Sequence, residues 1–212
     1  MPEATLRVQR RGGTTHLLLD RPDRSNALDA ALTSELCDAI SKSYLDGTRL
    51  VVLRGAGKNF CSGFDRPAAK EDIAAAAATR AVHVESVLQL LWGAPFVTAA
   101  CVQGKAIGAG ADLVAACDRR IGAPGSSYSF PGFRLFGVSL GNRRLAEIVG
   151  PKRAFDLVLR GIEFGVEDAW RWNLVGEIVP ANAFDESIAA IETELTGIEG
   201  SSIAELRTAL AA

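Results

Sequence analysis

Phe96-Val97-Thr98-Ala99-Ala100-Cys101-Val102-Gln103-Gly104-Lys105-Ala106-Ile107-Gly108-Ala109-Gly110-Ala111-Asp112 is the stretch on which the fold turns. Residues 96–102 are rich in Val, Thr and Phe, so they read as a strand buried on both faces. A helix is expected to start near Gly108 and run through Leu113-Val114-Ala115-Ala116, followed by a strand-like run over 119–123. Strand, glycine turn, helix, strand is a βαβ arrangement. An earlier segment, Asn59-Phe60-Cys61-Ser62-Gly63-Phe64-Asp65, likewise ends an apolar run, residues 50–53. Small residues let a backbone amide approach a ligand closely, and two amides converging on one carbonyl oxygen stabilise its developing negative charge. The two segments thus read as halves of an oxyanion hole, which points to chemistry on a carbonyl, a thioester above all. The plainer alternative is that the glycines only permit turns and tight helix packing.

Working outward, residues 5–9 and 14–19 are β-forming runs around Gly12-Gly13, which suggests a hairpin. A turn over 21–26 follows, and from Asp29 a helical period places Leu32, Leu36, Ala39 and Ile40 on one face. Residues 71–91 read as a long helix with Val84, Val87, Leu88 and Leu91 continuing its apolar face, stopped by Gly93-Ala94-Pro95. Downstream, helices are expected over 142–149, 151–159 and 166–172, a last strand over 175–179, and terminal helices over 184–195 and 203–211. No internal repeat and no long linker divides the chain. The expected organisation is a core over residues 1–180 and a short C-terminal helical segment over 181–212.

A chain of 212 residues with 48% hydrophobic and 23% charged residues is ordinary globular material. Its net charge of −2 and pI near 5.8 give no polyelectrolyte signature, so nucleic acid is not an expected partner. The N-terminus lacks the apolar core of a signal peptide, and 96–102 falls far short of the ~20 residues of a spanning helix. A cytoplasmic protein with no membrane partner is therefore expected. Cys37, Cys61, Cys101 and Cys117 show no C-x-x-C spacing and there are two histidines, which favours core thiols over a metal site or a disulfide framework. Gly55-Ala56-Gly57-Lys58-Asn59 lacks the first glycine and the final Ser or Thr of a P-loop, and Gly104-x3-Gly108-x-Gly110 is not G-x-G-x-x-G.

Four ordered sets of residues carry a resemblance: Leu19-Asp20-Arg21-Pro22-x3-Asn26-Ala27-Leu28; Val51-Val52-Leu53-Arg54-Gly55-x4-Phe60 with Cys61-Ser62-Gly63-Phe64-Asp65; Pro95-x3-Ala99-Ala100-x2-Gln103-Gly104-x3-Gly108-Ala109-Gly110; and Asp118. It continues through Phe130-Pro131, Leu145-x3-Val149-Gly150, Ala154-x4-Leu159, Ala169-x4-Leu174-Val175 and Val179-Pro180. Together these resemble the crotonase, or enoyl-CoA hydratase/isomerase, superfamily. The resemblance implies an α/β fold, a crotonase-like spiral of β-β-α units, here with a shortened C-terminal helical region. It implies an acyl-CoA substrate, with coenzyme A entering as part of that substrate and no separate cofactor or metal. It also implies assembly as a homotrimer or a dimer of trimers.

By position, the resemblance assigns the oxyanion amides to Phe64 and Ala109, with Gly63 and Gly108 beside them. The turn Arg24, Ser25, Asn26, Ala27 and Leu28 matches the segment that touches coenzyme A, and Asp65, Arg66 and Pro67 extend the loop beside the thioester. Arg24 reads either as a phosphate partner, by its planar array of donors, or as a solvated turn residue.

The acid/base residues depart from the family. Hydratases place one glutamate where Asp112 stands and a second where Gly132 stands, so a two-carboxylate hydration has lost one partner and had the other shortened. Asp112 is the leading catalytic candidate; its plainer reading is a carboxylate stabilising a helix N-terminus. His83 is the second, since its spacing ahead of Pro95 is that of a functional histidine in acyl-CoA dehalogenases of the superfamily; on a helix such a residue is more often a half-buried structural one. Tyr128, Arg134, Ser139 and Asn142 occupy the stretch where family members vary their catalytic groups. The expected activity is of the enoyl-CoA hydratase/isomerase type. The alternatives are a hydrolase, decarboxylase or lyase of the superfamily, or a degenerate acyl-CoA-binding paralogue.

Overall fold

The computed structural model describes residues 5–65, 73–198 and 200–211. The first hairpin forms as expected: β1 (Leu6–Arg11) pairs antiparallel with β2 (Thr14–Leu19) across a turn in which Gly12 holds φ at 59°. A short 3-10 turn at Pro22–Arg24 leads into α1 (Ala30–Ser43), whose N-cap Asp29 accepts the Leu32 amide at 2.8 Å. That cap satisfies a donor the helix cannot, and the buried Leu32, Leu36, Ala39 and Ile40 fix which face turns inward.

β3 (Leu50–Gly55), β4 (Val97–Val102), β6 (Arg119–Gly122) and β9 (Glu177–Ile178) join β2 in parallel, giving a six-stranded sheet of order β1-β2-β3-β4-β6-β9. Side chains of the central strands alternate between two packing layers. Val51, Leu53, Ala100 and Val102 face α1 and α2 (Ile73–Trp92), while Leu50, Val52, Ala99, Cys101 and Ile121 face α8 (Phe184–Glu194) through Phe184, Ile188 and Ile191. Burial on both faces is why these strands read as unbroken apolar runs. The expected last strand over 175–179 contracts to β9, because Leu174 and Val175 are packed as buried turn residues after α7 (Val166–Arg171).

A second sheet was not expected. β5 (Lys105–Ile107) pairs parallel with β7 (Ser127–Ser129), which pairs antiparallel with β8 (Phe164–Gly165). The glycine segment therefore holds a short strand before α3 (Ala109–Ala115) begins. After β7 come α4 (Gly132–Phe136), α5 (Asn142–Val149) and α6 (Pro151–Arg160). The terminal helix, α9 (Gly200–Ala211), returns to the start of β4: Arg207 forms a two-pronged ion pair with Asp118 at 2.9 Å and donates to the Ala94 carbonyl. Asp118 in turn accepts the Thr98 amide and hydroxyl.

No helix among the described residues is long and apolar enough to cross a membrane. Among those residues no group of three or more His, Cys, Asp or Glu is placed to hold a metal ion. Cys61, Cys101 and Cys117 are buried free thiols, and burial pushes the Cys61 thiol up to about 12.

Candidate active site

The two glycine segments meet backbone to backbone. Cys61 makes an isolated parallel bridge with Ala106 of β5, its amide donating to the Lys105 carbonyl and its carbonyl accepting from Ile107. Side chains would block this contact: a Cβ on Gly110 would stand 2.3 Å from the Cys61 carbonyl oxygen, and one on Gly104 2.1 Å from that of Lys58. Glycine is needed at these points to let the main chains touch.

The turn before α1 is stitched to the same seam. Leu28 donates to the Gly63 carbonyl and accepts from the Asp65 amide, which is a parallel bridge to Phe64. In such a bridge the partners on either side of Phe64 take the hydrogen bonds, so the amide of Phe64 itself points away from Leu28. Gly63, at φ 90°, lies against the start of α3: a Cβ on it would lie 3.4 Å from the Ala109 nitrogen. Neither the Phe64 nor the Ala109 amide has an acceptor among the described residues. Gly108, at φ 55°, has open space on its Cβ side.

Phe64 and Ala109 both line one cavity of about 160 Å³. Ser62, Gly63, Phe64, Gly108 and Ala109 form one side; Phe130, Leu135, Phe136, Val138 and Leu140 form the apolar remainder. Asp112 is the one carboxylate among the described lining residues. It is 6% exposed, and its Oδ1 is buried without a hydrogen-bond partner among the described residues. Burial, above all, pushes its carboxyl well above the usual carboxylate range; the Arg144 charge opposes that rise and Glu85 adds to it.

The other expected site residues separate. His83 is exposed on α2 and does not line the cavity; the helical phase that buries Val84, Val87 and Leu88 turns it to solvent, and Glu85 is the α2 group that approaches Asp112. Asn26 is fully buried, with Oδ1 accepting the Arg21 amide and Nδ2 donating to the Ala56 and Asn59 carbonyls, so its side chain is a strut of the turn rather than a ligand contact. Asp65 is held by Arg21 at 2.9 Å, and that same guanidinium also pairs with Asp29. Ser25 accepts from Asn59 Nδ2, while Ala27 and Leu28 are buried. Arg24 is exposed, with no ion pair among the described residues. Arg66 and Pro67 lie outside the described residues.

Tyr128 is wholly buried, its hydroxyl on that of Ser126; Arg134 and Asn142 are exposed; Ser139 lines the cavity and bonds Asn142. At Gly132 the second carboxylate is absent, and its space is closed as well: a Cβ there would meet the Val138 carbonyl at 2.7 Å. Sequence reasoning missed Arg144, Glu85 and Arg21, whose partners lie far along the chain.

A mixed α/β chain whose two glycine-rich segments meet beside a small, largely apolar cavity defines a class by fold. Comparison with known proteins gives the family. Residues 9–212 match the family model described as enoyl-CoA hydratase/isomerase. A Rhodobacter capsulatus protein named a probable enoyl-CoA hydratase is 34% identical over 184 residues, covering 85% of this chain and 71% of its own. A Mycobacterium bovis protein of the same name is 33% identical over 179 residues, covering 82% and 71%. Among solved structures, a Bordetella parapertussis protein assigned as an enoyl-CoA hydratase/isomerase superposes with a TM-score of 0.93 at 31% identity, covering 98% of this chain and 87% of its own. A Thermobifida fusca protein solved in complex with CoA gives a TM-score of 0.85 at 27% identity, covering 98% and 84%. The chain belongs to the enoyl-CoA hydratase/isomerase family and has the crotonase fold.

Proposed function

We propose that this chain acts on acyl-CoA thioesters, with the Phe64 and Ala109 amides holding the thioester oxygen and Asp112 moving a proton along the acyl chain. The observation that carries the reading is the pairing of two unpartnered amides with a cavity whose described lining offers one carboxyl group. Hydration of a double bond is served by one group that activates water and another that supplies a proton. A single carboxylate suffices for migration of a double bond. It takes a proton from the carbon next to the thioester carbonyl, the negative charge moves onto the held oxygen, and the same proton returns two carbons further along, with nothing consumed. Isomerisation of a 3-enoyl thioester is therefore favoured over hydration.

The exposed Arg24 offers a cation for a coenzyme A phosphate, on a turn hydrogen-bonded to the loop that carries Phe64. The cavity shares Ser139 and Val158 with a groove of about 350 Å³ lined by Phe133, Ala146, Ala154, Phe155 and Leu159, which gives an acyl chain an apolar path.

The test is conversion of 3-enoyl-CoA to 2-enoyl-CoA, assayed beside hydration of 2-enoyl-CoA. Asp112→Asn is expected to lower kcat about 100-fold or more while thioester binding persists. Undiminished turnover in that variant would remove Asp112 from the chemistry. Saturable binding without turnover of either thioester would make the chain a binding paralogue.

A further inference from the structure

Two buried polar atoms near the cavity lack partners among the described residues, and they are complementary: Asp112 Oδ1 accepts, Arg144 Nε donates. Both flank Gly141. A Cβ built there would stand 3.0 Å from Oδ1 and 3.7 Å from Nε, and Gly141 holds φ at 61°, where a side chain is strained in any case. A small oxygen-bearing group between the two satisfies a sealed acceptor and a sealed donor at once, and a water molecule is the smallest that does so. The far end of Arg144 is already fixed. Its Nη2 donates to both oxygens of Glu85 at 2.8 Å, and its side chain is 7% exposed.

We propose that Arg144 is the positioning residue for Asp112: gripped by Glu85 on α2, it holds Asp112 Oδ1 through a bridging water beside Gly141 and leaves Oδ2 to face the cavity. The proposal rests on the acid/base reading of Asp112. It also supplies what a lone carboxyl needs. An unheld side chain can rotate away from the reacting carbons, and a misplacement of ~1 Å can cost ~100-fold in rate.

The two charges act on the carboxyl in opposite senses, Arg144 favouring its ionised form and Glu85 its protonated one. Of the other charged groups on the packed elements, Arg80 on α2 donates to the Asp65 carbonyl. Asp112 is the one charged residue of α3; β4 carries none; His83 on α2 faces solvent. Arg143 and Glu147 on α5 pair with each other, and Lys105 of β5 pairs with Glu163 at the surface.

The experiment is a carbon-13 NMR titration of the side-chain carboxyls in the parent, Glu85→Gln and Arg144→Gln, with Asp112→Asn assigning the resonance. The Asp112 midpoint is expected to fall in Glu85→Gln and to rise in Arg144→Gln. In the isomerase assay Arg144→Gln is expected to lower kcat about tenfold or more with little change in KM, and Arg144→Lys to recover part of it. Midpoints that stay put, or that move in the same direction in both variants, overturn the proposal. Should Arg144→Gln not fold, the fall in Glu85→Gln alone decides, since that carboxylate is partly exposed and its amide keeps the same shape. The outcome is separable from the acid/base reading: if the midpoints move as expected while Asp112→Asn retains turnover, the coupling stands and the catalytic role falls.

Discussion

Gly63 sets more of the site than any side chain around it. Its φ of 90° is one that side chains rarely adopt, and a methyl group there would press within 2.7 Å of the Ile107 carbonyl. Gly63→Ala should therefore cost about 1–2 kcal/mol from the backbone alone, seen as a lower melting temperature, together with loss of turnover. Phe64→Ala should leave the amide in place and keep kcat within about tenfold, since the donor belongs to the main chain. At this scale the sequence was uneven. Asp112 and the glycines were legible because their spacing within one short segment matches a known pattern. Arg144, Glu85 and Gly141 were not, because 59 positions separate the ion pair and no local pattern connects them.

Among the elements, length decided what could be read. α1 and the central strands declare themselves through periodic or unbroken apolar runs, whereas β5 and β7 have three residues each and β8 two, too short for any period to show. His83 was misplaced for another reason: a spacing counted along the chain ignores the 100° each helical residue turns, and the buried Val84 and Val87 fix that turn against it. α9 supplies a prediction of its own. It is tied down chiefly by Arg207, whose pair with Asp118 is about a quarter exposed on both sides and so is screened by solvent. Arg207→Ala should speed amide hydrogen exchange in α9 while shifting the melting temperature of the whole chain little. Equal exchange in parent and variant would show that packing alone holds the helix.

For the molecule as a whole, the buried carboxyl makes stability depend on pH. Asp112 binds its proton more tightly folded than unfolded. Its contribution is thus fully present below the ordinary carboxylate range and is lost as pH rises through the raised midpoint. Asp46, held low by the Thr48 hydroxyl, and Glu163, held low by Ser127, act in the opposite sense, losing their contribution as pH falls through their midpoints. Asp112→Asn should accordingly out-melt the parent in mildly alkaline buffer, by about 2–4 °C for each kcal/mol relieved, and the advantage should vanish in acid. Thermal unfolding across pH checks both. The seam between Cys61 and Ala106 has a different kind of consequence. In the proposed site the groups that hold the substrate are peptide nitrogens, so the residues at 64 and 109 can drift without erasing them, and the lasting written mark of the seam lies in the glycines at 63, 104 and 110, where any side chain would meet main chain.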